Sequence, residues 1–415
     1  MKLILHKPEH SISGNILLPG SKSISNRVLI IKALSGLIFD IENLSDSDDT
    51  THLKDALESY SDNSVIDVGH AGTDMRFLTA FLSLKHGNYE LTGSERLQQR
   101  PIKDLVDVLR SLGADITYKN NEGYPPLYIK GKQLTGGKVE INGNVSSQFI
   151  SALLLVAPYF TNGLEINIIT ELVSKPYVNM TIEIMREFGA IVEWRDNIIK
   201  VSPTPYSYIK KSYMVESDWS AVSYYYSLVA FSSIGTKLVI KSLFKNSLQA
   251  DSACVSIYQN FGVSTNFNEN EVVISKTSKS ETKPLELDFI ECPDIAQTVV
   301  CSCVGLKMPF FFKGLQTLKV KETDRIIALQ NECKKFGIVL SVTTNSIEWG
   351  GETSINNMIS DSIATYNDHR MAMSFAPLCL LVQNVTIENA EVVSKSYPEF
   401  WQHLKSIGIN SNQVS

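Results

Sequence analysis

The amino-acid sequence predicts an α/β protein composed of two similar domains. Its 415 residues are too many for one hydrophobic core and favour two or three domains. An apolar helix recurs along the chain, and it alternates with an amphipathic helix that ends in glycine and precedes a strand-like run. Self-similarity at a fixed period indicates a repeated supersecondary unit. Six such units, three in each domain, account for the chain.

The first type of helix is apolar on nearly all sides, which predicts that it is buried inside its domain. From the second helix onward, successive starts lie 72 to 76 residues apart, whereas the first interval is 49 residues. Turn glycines follow the first four helices, at Gly36, Gly87, Gly163 and Gly235. The six helices begin near Ser23, Gly72, Ser146, Asp218, Asp294 and Asp368.

The second type of helix shows one apolar stripe and is therefore expected on the surface of its domain. In five of the six units this helix is followed by glycine, the residue that most easily adopts the left-handed conformation after a helix. The first unit lacks this glycine and ends irregularly near residues 59–63. The other predicted helices are 105–112, 182–188, 255–261, 326–336 and 400–407, and the glycines that follow them are Gly113, Gly189, Gly262, Gly337 and Gly408.

The repeats place one domain at residues 20–216 and the other at residues 1–19 plus 217–415. The chain is expected to pass between the domains near Pro19 and Gly20, and again near residues 215–217. Symmetry between the two domains assigns the strand-like segment 2–6 to the second one.

Composition excludes several classes of protein. The net charge of −6 argues against a general binder of nucleic acids or membrane surfaces. We find no signal-peptide core at the first residues and no apolar run long enough to span a bilayer. All six cysteines lie in the second half without a zinc or disulfide spacing, so we expect reduced thiols in a cytoplasmic protein.

The starts of the apolar helices carry the unusual polar residues. A helix start presents unpaired N–H groups and a positive dipole end, which attract anions. Arg27, Arg76 and Arg370 lie in or just after first turns, where the dipole repels cations. Bound anions would offset this repulsion, so we expect ligands with two or more anionic groups. Asp294 and Glu322 lie among these cations and suit general acid–base chemistry.

Each of these residues also has a purely structural explanation. Aspartates at three helix starts suit helix capping alone, and Lys321 with Arg325 suits a solvated charged face. His369 suits a core histidine whose hydrogen bonds are satisfied. The recurrence of the pattern from one helix start to the next favours the binding interpretation.

Seven segments of the chain resemble the family of 5-enolpyruvylshikimate-3-phosphate synthases (3-phosphoshikimate 1-carboxyvinyltransferases). The most specific are Val-Lys-Glu-Thr-Asp-Arg at residues 320–325 and Ala-Thr-Tyr-Asn-Asp-His-Arg-Met-Ala-Met at residues 364–373. The others are residues 19–27, 71–76, 91–101, 146–148 and 172–177. The resemblance implies two similar inside-out α/β domains, each of three βαβαββ units, joined by a double-crossover hinge.

The activity implied by this resemblance is transfer of the enolpyruvyl group of phosphoenolpyruvate to the 5-hydroxyl of shikimate 3-phosphate. Phosphate leaves by addition and elimination through a tetrahedral intermediate, in the shikimate pathway of aromatic amino acid biosynthesis. Neither a metal nor an organic cofactor is implied. We expect a cytoplasmic monomer whose partners are these two small molecules, without nucleic acid or membrane.

The resemblance also implies a role for individual residues. Asp294 is expected to be the base on the hydroxyl side, Glu322 the acid on the carbon side, and Lys22 a catalytic contact to both substrates. The residues expected to bind shikimate 3-phosphate are Lys22, Ser23, Arg27, Ser146, Ser147, Gln148, Ser174, Tyr177, Asp294 and Lys321. Those expected to bind phosphoenolpyruvate are Lys22, Gly72, Arg100, Gln148, Arg325, His369, Arg370 and Lys395.

Three positions depart from the family pattern, and two other functions stay open. His70, Phe77 and Thr317 stand where the pattern has Asn, Pro and often Asn. A related family transfers enolpyruvyl to UDP-N-acetylglucosamine with a loop cysteine in its first domain, but no cysteine precedes Cys254 here. A non-catalytic anion-binding relative is expected to have lost a carboxylate or a basic residue of the site, and none is missing.

Overall fold

The computed structural model describes residues 1–144, 146–269, 271–352 and 362–414. The chain forms two compact units. The continuous unit is Gly20–Val215, and the discontinuous unit combines Met1–Pro19 with Glu216–Ser415. The second passage between the units falls one residue before the expected boundary at 216, because Glu216 is anchored in the discontinuous unit by Trp219 Nε1 and Ser247 Oγ.

Helices alternate with strands throughout the described residues. The helices are α1 (Lys22–Ser35), α2 (Asp48–Ser59), α3 (Gly72–Leu84), α4 (Glu95–Gln98), α5 (Lys103–Ser111), α6 (Ser147–Val156), α7 (Lys175–Glu187), α8 (Trp219–Phe231), α9 (Cys254–Ile257), α10 (Ala296–Leu306), α11 (Arg325–Lys334), α12 (His369–Phe375) and α13 (Phe400–Ser406). Short 3-10 helices lie at Ala157–Tyr159, Ala250–Ala253, Tyr258–Phe261, Pro293–Ile295, Gln316–Val320, Ala376–Leu380 and Ala390–Lys395. None of these described helices is both long and apolar enough to cross a membrane.

Two four-stranded sheets and one strand pair belong to the continuous unit. In spatial order, the first sheet is Ser64–Asp67, Gly87–Thr92, Leu127–Gly131 and Asp115–Tyr118. The second is Gly137–Ile141, Leu164–Ile168, Ile198–Val201 and Val192–Arg195. The pair joins Ser212–Met214 to Asp40–Glu42 in parallel.

The discontinuous unit contains two four-stranded sheets and one of three strands. The first is Gly14–Leu17, Lys237–Lys241, Glu271–Lys276 and Val263–Asn268. The second is Leu285–Asp288, Phe310–Lys313, Ile347–Trp349 and Ser341–Val342. The third is Asn384–Ile387, Lys2–His6 and Ser411–Val414.

Each four-stranded sheet has the same topology. Its first two strands are parallel, and the remaining pairs are antiparallel. In chain order this is a βαβαββ unit. Its last two strands form a hairpin, and the second strand of that hairpin lies next to the parallel pair. In the three-stranded sheet, Lys2–His6 occupies the position that the last strand of the unit has in the other sheets. A parallel bridge between Ile363 and Ile387 occupies the position of the first strand. Lys2–His6 thus completes a unit at the opposite end of the chain, whereas Gly14–Leu17 begins the first unit of the discontinuous domain.

The predicted apolar helices are confirmed as the cores of the two units. All but two residues of α3 are buried, and the side chains of α1, α6, α8 and α10 are buried on most sides. Hydroxyl pairs lock α8 and α10 side by side and in parallel: Ser223 contacts Thr298 at 3.1 Å, and one turn later Ser227 contacts Ser302 at 2.9 Å. Parallel packing brings the helix starts within each unit to the same end.

The glycines behind the amphipathic helices are also confirmed. Gly113, Gly189, Gly262, Gly337 and Gly408 have φ of +100°, +81°, +71°, +80° and +100°. In the first unit, Asn63 adopts φ +63° after α2. A residue without Cβ reaches this left-handed region at little cost, which explains glycine at these turns.

Two local predictions were wrong. Residues 255–261 do not form one helix, because α9 is four residues long and is flanked by 3-10 turns. Of the glycines expected to end the apolar helices, only Gly36 caps its helix, with φ +66°. The ends at Lys85 and Ser232 turn directly into extended backbone, so no left-handed residue is required there. The six cysteines are free and buried, as expected.

Candidate active site

The N-terminal turns of α1, α3 and α6 meet at one end of the continuous unit. Asn26 Nδ2 donates to Asp74 Oδ1 at 2.7 Å and joins α1 to α3. Gln148 Nε2 donates to Thr73 Oγ1 at 3.1 Å and joins α6 to α3. Three helix starts with their positive dipole ends therefore converge, and most of the predicted residues of this unit lie on or beside them.

Arg27 is a buried cation surrounded by neutral acceptors. Its side chain is 3% exposed. Nε donates to Thr181 Oγ1 at 2.7 Å, and Nη1 donates to the Ser23 carbonyl at 2.7 Å. Nη2 donates to Ser151 Oγ and to the Tyr177 carbonyl, both at 3.3 Å. Burial lowers the pKa of Arg27 to about 10, so the group stays charged at neutral pH and no carboxylate in the described part of the chain pairs with it.

Arg76 and Arg100 bring two more positive charges to the start of α3. Arg76 is buried and donates from Nη1 to the Gly72 carbonyl at 3.0 Å and from Nη2 to the Pro101 carbonyl at 3.0 Å. Burial lowers the pKa of Arg76, and the charge of Arg100 lowers it further. Within the described ranges neither guanidinium forms an ion pair, so the repulsion between them is left for an anion to offset.

Gly72 is the residue over which the Arg100 guanidinium lies. A Cβ at this position would be 2.4 Å from Arg100 Nη1 and 2.8 Å from Cζ. Glycine is thus required here for close approach of the side chain. The structure thereby joins two residues, 28 positions apart, that were both predicted to bind phosphoenolpyruvate.

Among the described residues, Lys22 is the one predicted cation of this unit with a carboxylate beside it. Its Nζ lies 2.9 Å from Asp49 Oδ2 of α2, and the two side chains are 20% and 6% exposed. Asp49 was not among the predicted site residues. It carries no motif of its own, and only the packing of α2 on α1 brings it to Lys22.

The serines predicted to hold a phosphate lie at two helix starts. Ser146 caps α6 by accepting a hydrogen bond from Gln148 N at 3.2 Å, and Ser147 is the first residue of that helix. Ser174 precedes α7 with φ +54°, an unusual conformation for a residue other than glycine. The Ser174 carbonyl accepts from Tyr177 N at 3.1 Å, so the turn that holds Ser174 is closed by Tyr177.

In the discontinuous unit, Arg325 is the centre of an ion-pair cluster. Its side chain is 1% exposed. Nε donates to Asp368 Oδ2 at 2.7 Å, Nη1 to Asp294 Oδ1 at 3.1 Å, and Nη2 to Glu322 Oε2 at 2.9 Å. Burial alone lowers the pKa of this guanidinium, but the three carboxylates raise it above its ordinary value. One planar fork thereby sets the spacing between both predicted acid–base residues.

Asp294 has three cations around it. Besides Arg325, Arg370 Nη2 lies 3.3 Å from Oδ2, and Lys321 Nζ lies 3.5 Å from Oδ1. Burial raises the pKa of Asp294, yet the charges of Arg370, Lys321 and Arg325 outweigh it and hold the pKa well below the ordinary range. The carboxylate is ionised at neutral pH, as a proton acceptor must be.

The second carboxylate, Glu322, bridges two cations. Oε2 accepts from Arg325, and Oε1 accepts from Lys395 Nζ at 2.8 Å. Lys395 ends a 3-10 helix far along the chain, in the three-stranded-sheet unit. The two predicted acid–base groups therefore have different neighbours, although they share Arg325.

Asp368 supports the start of α12. Its carboxylate accepts from Arg325 and also caps the helix by accepting from Arg370 N at 2.9 Å. His369 is buried, with Nδ1 3.9 Å from Asp368 Oδ1. Sequence reasoning treated Asp368 only as a possible cap. Its partner lies 43 residues away in sequence, so no local signal reveals the ion pair.

Chemically, the two sets of residues differ in charge. The continuous unit offers three arginines without a carboxylate partner in the described ranges, which suits anion binding. The discontinuous unit offers three carboxylates around Arg325, of which Asp294 is held ionised, and four cations, which suits proton transfer next to an anion. Among the described residues, no three histidines, cysteines, aspartates or glutamates are grouped so that they could hold a metal ion.

Solved structures with the same fold are known. An EPSP synthase from Acinetobacter baumannii matches over 100% of both chains with a TM-score of 0.78 and 22% sequence identity. A second structure of EPSP synthase from that organism matches with a TM-score of 0.79 and 20% identity. The predicted fold class, two similar inside-out α/β domains, is thereby confirmed.

Sequence comparison places the chain more narrowly. The family model of EPSP synthase (3-phosphoshikimate 1-carboxyvinyltransferase) matches residues 6–62 and 57–404. A 3-phosphoshikimate 1-carboxyvinyltransferase from Bacteroides fragilis is 46% identical over 410 residues, covering 98% of each chain. The protein of that name from Haemophilus influenzae is 37% identical, covering 98% of this chain and 99% of its own. With full-length relatives at this identity and a family model that spans nearly the whole sequence, the chain belongs to the EPSP synthase family.

Proposed function

We propose that this chain transfers the enolpyruvyl group of phosphoenolpyruvate to the 5-hydroxyl of shikimate 3-phosphate and releases phosphate, a step of aromatic amino acid biosynthesis. The observation that carries the proposal is the arrangement of Asp294 and Glu322 on the two branches of the Arg325 fork. The Arg325 guanidinium is rigid and fixes the spacing of the two carboxylates, and the chain belongs to the family that has this activity.

Addition requires that the 5-hydroxyl lose a proton as its oxygen attacks C2 of phosphoenolpyruvate. Asp294 is the proposed acceptor. Its ionised state depends on Arg370 and Lys321, which are also the cations suited to a phosphate. An anionic ligand that engages them weakens their hold on Asp294 and raises its pKa, so the carboxylate becomes a stronger base when substrate is bound.

The same step adds a proton to C3, the methylene carbon, and yields a tetrahedral intermediate. Glu322 is the proposed donor. Elimination then reverses the proton movement: C3 loses its proton to Glu322, the C2–O bond to phosphate breaks as Asp294 gives its proton to the leaving phosphate, and the enol ether forms. Glu322 is suited to both directions because Lys395 and Arg325 stabilise its ionised form after it has given up the proton.

Phosphoenolpyruvate is proposed to bind Gly72, Arg100 and Gln148 in the continuous unit. Arg100 lies over the bare backbone of Gly72 at the start of α3, so an anion there meets a guanidinium and helix N–H groups together. The partners proposed in the discontinuous unit are Arg325, His369, Arg370 and Lys395. Of these, Arg325 is fully engaged with carboxylates, so its role in the proposal is to position them.

Shikimate 3-phosphate is proposed to bind the starts of α1, α6 and α7. Ser146, Ser147 and Ser174 offer hydroxyls for the phosphate, with Gln148 and Tyr177 alongside. Ser23 and Arg27 are proposed for the carboxylate, Lys22 for both substrates, and Lys321 with Asp294 for the hydroxyl side. We further propose that the enzyme works as a cytoplasmic monomer without a cofactor.

Phosphate release from phosphoenolpyruvate tests this function. Wild type with shikimate 3-phosphate is expected to turn over, and UDP-N-acetylglucosamine as acceptor is expected to give no product. Asp294→Asn should abolish turnover, whereas Asp288→Asn should not, because Asp288 is an exposed carboxylate in the same unit that pairs with Lys313. Turnover with the UDP-sugar, or none with either acceptor, would contradict the proposal.

A further inference from the structure

One buried carboxyl group near the ion-pair cluster has no place in the reaction described above. Asp251 lies in the 3-10 helix Ala250–Ala253 and is 3% exposed. Oδ2 accepts a hydrogen bond from Ser220 Oγ. Oδ1 is buried, and no group in the described part of the chain donates to it. A buried carboxylate oxygen without a donor is costly when charged, so the protonated form is favoured.

Ser220 connects Asp251 to the proposed phosphoenolpyruvate site. Its hydroxyl donates to Asp251 and accepts from Arg370 Nη2 at 3.3 Å. The same Nη2 lies 3.3 Å from Asp294 Oδ2. Arg370 is therefore held between the ionised Asp294 and the hydroxyl that Asp251 orients.

The segment before Asp251 is rigidly attached to the start of α8. Gln249 Nε2 donates to Glu216 Oε2 and to the Ser217 carbonyl, both at 2.9 Å, and its Oε1 accepts from Trp219 N at 3.0 Å. Asp251 follows two residues later and faces Ser220, the second residue of the same helix. The distance between Asp251 and Ser220 is thus set by two fixed elements.

Burial and the neighbouring charges together place the titration of Asp251 near neutrality. The pKa of Asp251 is raised to about 7, first by burial and then by the negative charges of Asp294 and Asp218, while Arg370 and the hydrogen bond from Ser220 oppose this shift. The thiols of Cys254 and Cys292 also face this carboxyl group, and their own pKa values are raised by burial, so they are neutral.

We propose that Asp251 is a positioning residue for phosphoenolpyruvate: through Ser220 it orients the Arg370 guanidinium, and its protonation state sets the net positive charge that Arg370 presents to the substrate. This inference rests on the proposed role of Arg370. When Asp251 is protonated, Asp294 is the one carboxylate in the described part of the chain that forms an ion pair with the Arg370 guanidinium. When Asp251 ionises, a second negative charge competes with the anionic substrate.

The direction of the effect follows from linkage. An arriving anion favours the protonated form of Asp251, so binding of phosphoenolpyruvate takes up a proton near pH 7. Affinity is therefore highest below the pKa and declines as pH rises through it. A shift of one unit in the pKa of Asp251 on binding corresponds to about a tenfold rise in KM for phosphoenolpyruvate across this range.

The test is the KM for phosphoenolpyruvate of wild type and Asp251→Asn from about pH 6 to about pH 8.5, at saturating shikimate 3-phosphate. Ionisation of the substrate is common to both proteins and cancels in the ratio of the two constants. We expect the ratio of the wild-type KM for phosphoenolpyruvate to that of the variant to rise about tenfold with pH. The KM for shikimate 3-phosphate should follow the same pH dependence in both proteins. Glu286→Gln, an exposed single-charge change in the same unit, should leave the ratio flat.

Ser220→Ala separates orientation from charge, because it keeps Asp251 but removes the bridging hydroxyl. It should raise the KM for phosphoenolpyruvate over the whole pH range. An unchanged KM in Ser220→Ala, or a flat ratio for Asp251→Asn, would overturn the inference. A wild type without activity toward shikimate 3-phosphate would instead refute the proposed function.

An infrared pH titration provides a readout that needs no turnover. Wild type is expected to show the carbonyl stretch of a buried carboxylic acid that disappears around pH 7, and Asp251→Asn should lack this band. If the variant does not fold, a wild-type spectrum without this band still overturns the proposal. The absence of a carboxylic acid that ionises near neutrality would contradict the proposal.

Discussion

Gly72→Ala tests the contact on which the proposed binding of phosphoenolpyruvate most depends. The new Cβ would lie 2.4 Å from Arg100 Nη1, 2.8 Å from Cζ and 2.9 Å from Nη2. Ordinary contacts between such atoms are about 3.5–4.0 Å, so the guanidinium must retreat by roughly 1 Å. The backbone at Gly72 is not in the left-handed region, so alanine causes no backbone strain.

A misplacement of about 1 Å in a charged binding group costs up to roughly a hundredfold in rate. We therefore expect kcat/KM for phosphoenolpyruvate to fall about ten- to a hundredfold, or about 1.4–2.8 kcal/mol, in Gly72→Ala. The thermal midpoint should stay close to that of wild type, because only the end of a flexible side chain has to move. Binding of shikimate 3-phosphate should change little.

A double-mutant cycle with Arg100→Ala decides whether the loss acts through Arg100. Once the guanidinium is removed, the methyl group at position 72 has nothing to displace, so the second substitution should add little. Steady-state kinetics on the four proteins, with thermal unfolding of each, measures the coupling. Losses that add in the double mutant, or a Gly72→Ala enzyme with unchanged kcat/KM, would refute this reasoning.

Three further predictions concern the ion pairs. Lys22→Met should abolish turnover and cost about 1–3 kcal/mol of stability, because it removes the ion-pair partner of the buried Asp49 carboxylate; adding Asp49→Asn should restore the thermal midpoint but not activity. Arg325→Lys should lower the free energy of unfolding by about 3–5 kcal/mol and eliminate activity, because one ammonium group cannot bridge three carboxylates as the guanidinium does. A stable, active variant would contradict this prediction. Because the pKa of Asp294 is held well below its ordinary range, the stability from its ion pairs is present above that range and is lost only as pH falls through the lowered pKa. Wild type should accordingly lose stability in strong acid more steeply than Asp294→Asn in thermal unfolding across pH.

Local patterns in the sequence were sufficient to predict the repeated architecture. Burial on all sides requires an apolar helix, and a left-handed turn favours glycine, so both leave marks within a few residues. The helix starts of α1, α3, α6 and α8 and the glycines at Gly113 and Gly189 follow directly. At Lys85 the helix α3 ends in extended backbone, which any residue can adopt, so the sequence did not indicate this helix end and its prediction was wrong.

The recurrence of polar residues at the helix starts also indicated candidate site residues. Arg27, Arg370 and Asp294 were identified because a cation near the positive end of a helix, or a carboxylate among cations, is unfavourable without a partner. The sequence alone does not reveal which partner each residue has. Arg27 contacts neutral oxygens, whereas Arg370 and Asp294 contact each other.

Only the tertiary structure decided these pairings. Lys22 and Asp49 are 27 residues apart, Ser220 and Asp251 are 31 apart, and Arg370 and Ser220 are 150 apart. Side-chain chemistry determines which partners are acceptable, but the packing of helices determines which are within reach. The charge and the pKa of a buried group depend on those neighbours at short distance, and that dependence is why the state of Asp251 follows from the fold and not from the residues beside it in the chain.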